Sequence, residues 1–106
     1  MHDSALKVDL SQVNGSAFLT VEGEIDAESV TQLRAALDCL QLDKHVVIDM
    51  AGVRFMDSTG VNALVERSLR IEGTGGSLRI TNPSRSVQRL VEITGLAEVF
   101  YHPQAD

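Results

Sequence analysis

The residues of this chain best equipped for chemistry lie together in the stretch Met56-Asp57-Ser58-Thr59-Gly60, where a carboxylate precedes two hydroxyl groups. A hydroxyl beside a carboxylate can act as a nucleophile, accept a phosphoryl group, or cap the free N–H groups at the start of a helix. The apolar pattern that follows is helical, so a cap is the simplest role of Asp57 or Ser58. The other two roles require partners elsewhere.

A serine hydrolase needs a histidine base beside the nucleophile, and the chain has three histidines. His2 and His102 lie near the ends of the chain, and His45 begins a buried strand at the end opposite Ser58. The first glycine of the G-x-S-x-G nucleophile elbow is also missing. Hydrolase chemistry at Ser58 is therefore disfavoured.

The carboxylates of Asp26, Asp49 and Asp57 follow predicted strands and could converge on Mg²⁺, as in a phosphoacceptor receiver domain. Such domains alternate strands and helices more regularly than this chain, which opens with a hairpin. The chain has no cysteine pair, no pair of histidines four residues apart and no EF-hand spacing. We therefore expect neither a metal ion nor a cofactor.

A strand and a helix must position Ser58. The run Val46-Val47-Ile48 is β-branched throughout, which is typical of a central strand covered on both faces. We expect a loop over residues 51–57 and then a helix from about Ser58 to Glu72. The apolar side of that helix consists of Val61, Leu64, Val65 and Leu69.

The first part of the chain predicts a hairpin and a helix. Leu6, Val8 and Leu10 alternate with polar residues, and the turn Asn14-Gly15 should return the chain into a second strand over 17–21. Gly23 is expected to end that strand. Asp26 is the expected cap of the first helix, with Glu28 in its first turn and its buried stripe at Val30, Leu33, Leu37 and Leu40.

The last part of the chain predicts a strand, a third helix and an optional final strand. Residues 73–76 are rich in glycine, but they follow a helix and precede a strand, so they form a cap and turn and not a phosphate cradle. A strand over 78–81 follows. Asn82 and Pro83 suit the start of the third helix, Gly95 should stop it, and residues 99–101 suit an edge strand.

This order, β-β-α-β-α-β-α with a possible final strand, predicts one small α/β domain. Its mixed sheet opens with an antiparallel hairpin, continues through parallel βαβ crossovers and packs with helices. We expect residues 1–106 to form this single domain, with a core of about 6–101 and short polar tails. Asp26, Asp49, Asp57 and Ser58 should lie in or near loops after strands, the edge where such sheets usually function.

Composition limits the function further. The chain has 106 residues, 43% of them hydrophobic, and a formal net charge of −6, which argues against a nucleic-acid surface. Its one cysteine, Cys39, forms no internal disulfide. The N-terminus lacks a signal-peptide pattern, and no apolar run approaches the ~18–20 residues that a membrane helix needs. We expect a cytoplasmic protein, either a monomer or a weak dimer.

The run from Val47 to Gly60, VIDMAGVRFMDSTG, resembles the signature of STAS domains, and most closely that of bacterial anti-sigma-factor antagonists. Two further features stand at the expected distances, Gly23-Glu24-Ile25-Asp26 before the first helix and Thr94-Gly95-Leu96 after the third. The resemblance extends from about Leu6 to Phe100. It therefore covers nearly the whole chain.

The resemblance implies a partner-switching regulator and not an enzyme. The serine matching Ser58 would be phosphorylated by an anti-sigma factor that is itself a serine kinase, and a PP2C-type phosphatase would reset it. The unmodified form would bind the anti-sigma factor and release the sigma factor. Thr59 is the second choice as acceptor, and the residues expected to form the partner-binding surface are Asp26, Asp57, Ser58, Thr59 and Gly60.

Two alternatives remain open. One is a STAS domain that acts without phosphorylation as a structural subunit of a stressosome-like or lipid-transport complex. The other is an enzyme of flavodoxin-like architecture, which would turn over an ester or bind Mg²⁺. Neither alternative, nor the switch itself, calls for direct contact with nucleic acid or membrane.

Overall fold

The computed structural model describes residues 6–40 and 45–101. Within these residues, four strands form one sheet in the order β1-β2-β3-β4; β1 and β2 are antiparallel, and the other neighbours are parallel. The predicted mixed α/β fold is confirmed. The elements are β1 Lys7–Val13, β2 Ser16–Ile25, α1 Val30–Asp38, β3 His45–Met56, α2 Ser58–Glu72, β4 Ser77–Thr81, α3 Arg85–Ile93 and α4 Ala97–Tyr101.

The opening hairpin turns at the predicted dipeptide. Asn14 and Gly15 both have positive φ, at 49° and 84°, and Val13 pairs with Ser16 across the turn. Two consecutive residues with positive φ match the right-handed twist of the strands, and asparagine and glycine tolerate that conformation best. The turn therefore sets the register of β1 and β2.

One face of the sheet carries the core. The inward residues of β2 are buried, and the helices cover them with apolar side chains from all four helices, including Leu33, Leu64, Val87 and Phe100. The opposite face, here called the open face, has no helix layer among the described residues. Its residues on β2 alternate with the buried ones and are Phe18, Thr20, Glu22 and Glu24.

The open face corrects two expectations. Val46 and Ile48 are buried, but Val47 between them is only partly buried, so β3 is not covered on both faces. On α2, Val61 and Leu64 are buried as predicted, whereas Leu69 is 66% exposed. Apolar runs indicate that a segment reaches the core, but the number of layers around it depends on the rest of the fold.

The loop expected after the central strand is absent. β3 continues to Met56 and β2 continues past Gly23 to Ile25, and the two strands pair up to Ile25 and Met56. Register shifts between Thr20 and Glu22 and between Gly23 and Glu24 absorb the irregular residues. Asp57 alone therefore connects β3 to α2.

Two helices begin later than predicted. α1 starts at Val30, so Glu28 precedes it; the Asp26 carboxylate instead accepts the N–H groups of Glu28 and Ser29 at 3.0 and 2.9 Å, forming a turn before the helix. α3 starts at Arg85, because the Ser84 side chain accepts the Val87 N–H at 3.2 Å and so caps the helix.

Asn82 precedes that helix in a different conformation. Its φ is +51°, which a helix cap does not adopt, and its side-chain amide donates to the Asp49 carboxylate at 3.2 Å. Asn82 therefore anchors the end of β4 to β3. The prediction that Asn82 caps α3 is wrong.

The last segment is a helix and not an edge strand. The Leu96 carbonyl accepts the Phe100 N–H at 3.1 Å, and the Phe100 side chain is fully buried in the core. Gly95 has φ +75° and ends α3 as expected, and the Leu96 N–H then returns to the Val91 carbonyl at 3.0 Å. This tight return starts α4, and packing of Phe100 overrides the strand preference of Val99 and Tyr101.

Candidate functional site

The carboxyl ends of β2 and β3 bring two of the predicted site residues side by side. Ile25 pairs with Met56, and the Asp57 N–H donates to the Ile25 carbonyl at 3.1 Å. Asp26 and Asp57 each follow directly after this last pair. The predicted strand-end cluster therefore forms from Asp26, Asp57 and the residues that open α2.

Asp57 caps α2. Its backbone is extended, with φ −106° and ψ −171°, and its carboxylate accepts the Thr59 N–H at 2.9 Å. The same carboxylate oxygen also accepts a hydrogen bond from the Thr59 hydroxyl. Asp57 is thus the predicted cap, and Thr59 is bound to it through both its N–H and its side chain.

Ser58 is the first residue of α2 and is exposed. Its hydroxyl has no hydrogen-bond partner among residues 6–40 and 45–101. The neighbouring Thr59 hydroxyl is only half-exposed and is already donating to Asp57. Of the two candidate acceptors, Ser58 therefore presents the accessible hydroxyl.

Gly60 lies buried beneath this surface. A Cβ atom at Gly60 would stand 2.7 Å from Ile25 Cγ2 and 2.7 Å from Met56 Cγ. Real Cβ atoms do not approach carbon atoms so closely, so the glycine allows α2 to begin directly against the last residue pair of the sheet. Because Gly60 has no side chain, α2 can start directly after Asp57, and this start fixes the position of Ser58.

The Asp26 side of the site is held by Ser29, which is 7% exposed. The Ser29 hydroxyl donates to the Glu24 carbonyl at 2.6 Å and accepts the Asp26 N–H at 3.0 Å. The Asp26 carboxylate in turn accepts the Ser29 N–H. These bonds satisfy the backbone of the β2–α1 turn and fix the position of Asp26.

Asp49 does not join the site. It lies within β3, eight positions before Asp57, where it accepts the Ala51 N–H at 3.0 Å and the Asn82 amide. The expectation that Asp49 follows the end of its strand is wrong, because β3 continues to Met56. Across the described part of the chain, no group of three His, Cys, Asp or Glu side chains is arranged to hold a metal ion.

No histidine within the described residues is near Ser58. His45 starts β3 at the opposite end of the strand, where its Nδ1 lies 2.9 Å from the Ser77 hydroxyl. His2 and His102 lie outside the described residues. Among the described residues, the surroundings of Ser58 therefore provide a hydroxyl and carboxylates, and no histidine lies beside it.

Near the site, the structure exposes a large apolar residue that the site predictions did not include, Phe55. It lies on β3 two positions before Asp57 and is 48% exposed. Its pairing partner on β2 is Glu24, whose carboxylate is 3.9 Å from the Arg54 guanidinium. Alternation of buried and exposed residues along β3 could have predicted that Phe55 is exposed. The irregular register between β2 and β3 interrupts that alternation.

A groove of about 490 Å³ between α1 and α2 lies elsewhere. Two ion pairs cross it, Arg34 with Glu66 at 2.7 Å and Arg67 with Asp38. The hydrogen bond from Arg34 lowers the pKa of the Glu66 carboxyl below its usual value. None of the predicted site residues lines this groove. The candidate site is a surface, as expected for binding another protein.

Comparisons with known proteins agree with this geometry. The family model described as STAS domain matches residues 7–105. The anti-sigma-B factor antagonist of Bacillus subtilis (strain 168) is 34% identical over 95 residues, covering 89% of this chain and 87% of that protein. The anti-sigma F factor antagonist of Paenibacillus polymyxa is 25% identical over 97 residues, covering 89% and 83%.

Solved structures share the fold. The anti-sigma factor antagonist SpoIIAA in its unphosphorylated form has a TM-score of 0.77 at 24% identity, covering 92% of this chain and 89% of its own. The phosphorylated form of SpoIIAA from Bacillus has a TM-score of 0.71 at 22% identity, covering 92% of each chain. An anti-sigma factor antagonist from Mycobacterium paratuberculosis has a TM-score of 0.79 at 23% identity, covering 99% and 92%.

The structure also bears on membrane association. None of the helices in the described residues is long and apolar enough to cross a membrane.

Proposed function

This chain belongs to the STAS domain family, and from that premise we propose that it is an anti-sigma-factor antagonist controlled by phosphorylation of Ser58. Its unmodified form binds an anti-sigma factor and so releases the sigma factor. The relative that is 34% identical along 89% of this chain carries the name of such an antagonist, which supports the assignment. The chain acts as the substrate of a kinase and a phosphatase and not as an enzyme.

The observation that carries the proposal is the exposed, unpaired hydroxyl of Ser58 at the first position of α2. A phosphate on this atom lies at the N-terminal end of α2, where the helix dipole stabilises an anion. The fold therefore accepts the modification without rearrangement. The same fold is known in a phosphorylated form, that of SpoIIAA.

Thr59 is the weaker acceptor. Its hydroxyl donates to the Asp57 carboxylate, so transfer of a phosphoryl group to it would first break that hydrogen bond. The phosphate would then lie against the carboxylate that caps α2, and the two anions would repel each other. Transfer to Ser58 breaks no such hydrogen bond, since none involves its hydroxyl among the described residues.

Phosphorylation would prevent binding through charge. It adds roughly −1.5 to −2 charges to a surface that already holds the carboxylates of Asp26 and Asp57. Burying an uncompensated charge against a partner costs roughly 3–5 kcal/mol. That cost corresponds to about 10²- to 10³-fold or more in affinity, which is sufficient for a switch.

The partners follow from this scheme. The anti-sigma factor is itself the serine kinase that modifies Ser58, and a PP2C-type phosphatase removes the phosphate. Residues 1–106 act as one cytoplasmic STAS domain with no cofactor and no contact with DNA. The partner-binding surface consists of Asp26, Asp57, Ser58 and Thr59, with Gly60 acting from beneath by allowing α2 to start against the sheet.

The test is phosphorylation in vitro, with the chain incubated with ATP and the anti-sigma factor from the same organism. Intact-mass spectrometry followed by peptide mapping should find one phosphate, on Ser58, that is absent from Ser58→Ala. A phosphate on Thr59 would keep the switch and move its site. A stable complex without phosphate would overturn the switch and favour the structural STAS subunit of a larger assembly.

A further inference from the structure

We propose that Phe55 is the apolar anchor of the surface that binds the anti-sigma factor, and that its partner is an apolar pocket bordered by lysine or arginine side chains. The inference rests on the proposed function and adds to it the residue that carries much of the binding free energy. Phe55 is 48% exposed although it lies on β3, which has a neighbouring strand on each side.

The position of Phe55 relative to the acceptor follows from the sheet. Met56 is 4% exposed and points into the core, whereas Phe55 before it pairs with Glu24 and lies on the open face. Asp57 after it caps α2. Ser58 follows Asp57 directly. Phe55 precedes Ser58 by three residues, at most ~11 Å of chain, so one partner surface can cover both the hydroxyl and the ring.

Acidic residues predominate around Phe55. On the adjacent strand it pairs with Glu24, and Asp26 follows the end of that strand. Asp57 follows the end of β3, and the basic residue among these carboxylates, Arg54, is paired with Glu24. An apolar centre with a charged border is the usual anatomy of a binding hot spot, and the border defines a partner surface that is basic.

The segment that presents Phe55 is held in place before any partner binds. The Ser86 hydroxyl of α3 donates to the Arg54 carbonyl at 2.9 Å, and the Arg54 guanidinium lies 3.9 Å from the Glu24 carboxylate. Phe55 also pairs with β2 through the register of the sheet. The ring is therefore exposed on a fixed backbone, which lowers the entropic cost of binding.

The anchor also strengthens the switch. An interface that buries the ring of Phe55 excludes water from its surroundings, and Ser58 lies only three residues away. A phosphate carried into such a dry environment loses its hydration, and only a basic side chain that reaches it from the border would offset that loss. Phosphorylation is thus most effective when the adjacent contact is apolar.

The test compares two phenylalanines of nearly equal exposure on the same open face. Phe18, at 45% exposure, lies six positions before Glu24 on β2, which is ~20 Å of strand away from the site. Affinity for the anti-sigma factor from the same organism is measured by calorimetry for the full unphosphorylated chain, for Phe55→Ala, for Phe55→Leu and for Phe18→Ala. Thermal unfolding of each variant confirms that it folds.

We expect Phe55→Ala to weaken binding by about 30-fold or more, Phe55→Leu to recover most of the loss, and Phe18→Ala to stay within about threefold of the unchanged chain. Equal affinities for Phe55→Ala and the unchanged chain would overturn the anchor while leaving the antagonist function intact. Equal losses for Phe18→Ala and Phe55→Ala would overturn it as well. If the unchanged chain itself does not bind, the proposed function fails and the anchor fails with it.

Discussion

At the scale of single residues, the site separates two adjacent hydroxyls by their hydrogen bonds. Thr59 is bound to the Asp57 carboxylate through both its N–H and its hydroxyl, whereas Ser58 extends into solvent. The same carboxylate therefore caps the helix and removes one hydroxyl from competition. Asp57 therefore leaves Ser58 with the more accessible of the two hydroxyls.

The first prediction concerns Ser58. Ser58→Ala should bind the anti-sigma factor like the unchanged chain, because an exposed hydroxyl without a partner contributes little. Ser58→Asp should bind at least tenfold more weakly, since its carboxylate stands for part of the phosphate charge. Calorimetric titration measures both affinities, and thermal unfolding should show each variant within about 0.5 kcal/mol of the unchanged chain. An alanine variant that melts normally but no longer binds would contradict the switch.

The second prediction concerns Gly60. Gly60→Ala should destabilise the fold by about 1–3 kcal/mol, because its Cβ would stand 2.7 Å from both Ile25 and Met56. Gly73→Ala is the matched control: Gly73 has φ −65°, and its added Cβ would meet only the Leu69 and Arg70 carbonyls at ordinary contact distances.

Urea unfolding measures both glycine variants. Gly73→Ala should leave stability unchanged or raise it by up to about 1 kcal/mol, since alanine narrows the unfolded ensemble. A stable Gly60→Ala variant would show that α2 can move away from the sheet, and the position of Ser58 would then not depend on Gly60.

At the scale of elements, the sequence predicted what is decided locally. The Asn14-Gly15 turn and the Asp57 cap were correct, because each depends on a few neighbouring residues and on backbone geometry that few residue types satisfy. The start of α2 at Ser58 followed from the cap. These features include the position of Ser58 at the start of α2.

What could not be predicted depends on contacts between distant segments. Ala51 and Gly52 look like the start of a loop, but pairing with β2 extends β3 through them. The strand preference of residues 99–101 was overridden by the burial of Phe100. The exposure of Phe55 likewise required the irregular register with β2, which no local pattern reveals.

The third prediction concerns α4. The Tyr101 hydroxyl is buried without a hydrogen-bond partner among the described residues, so Tyr101→Phe should be neutral or slightly stabilising at pH 7. Burial raises the pKa of the Tyr101 phenol, and the nearby negative charge of Glu92 raises it further. Folding therefore favours the protonated phenol.

The sign of the pH effect follows from that shift. The contribution of Tyr101 is present below about pH 10, the ordinary tyrosine pKa, and is lost as the pH rises through its higher folded-state pKa. Because the chain has a single tyrosine and no tryptophan, tyrosinate absorbance reports this residue alone. Above that pH the unchanged chain should lose stability faster than Tyr101→Phe; parallel losses would show that the phenol is not desolvated.

At the scale of the whole molecule, charge and apolar contact act on different rates. The chain carries a formal charge of −6 and has carboxylates near Ser58, so we expect it to accelerate the approach of the basic partner surface proposed above. Short-range contacts such as that of Phe55 act after the encounter and lengthen the life of the complex. We therefore expect the acidic charge to set mainly the association rate and the contact of Phe55 to set mainly the dissociation rate.

The fourth prediction tests this division. Raising the salt concentration from ~0.05 to ~0.5 M should slow association with the anti-sigma factor by about tenfold or more and change dissociation little. Phe55→Ala should show the reverse, with faster dissociation and nearly unchanged association. Surface plasmon resonance separates the two rates. Association that is insensitive to salt would show that the acidic surface does not guide the partner.

The single-residue connection between β3 and α2 limits which kinases can use Ser58 as a substrate. A kinase that reads a short, flexible stretch of chain needs a substrate that can be drawn out into its cleft, and Ser58 is fixed between a paired strand and a helix. The residues around Ser58 come from two strands and a turn, which lie beside one another only in the folded chain. A synthetic peptide of residues 50–66 should therefore be a very poor substrate for the proposed anti-sigma kinase, and kinases that read extended peptides should leave the folded chain unmodified.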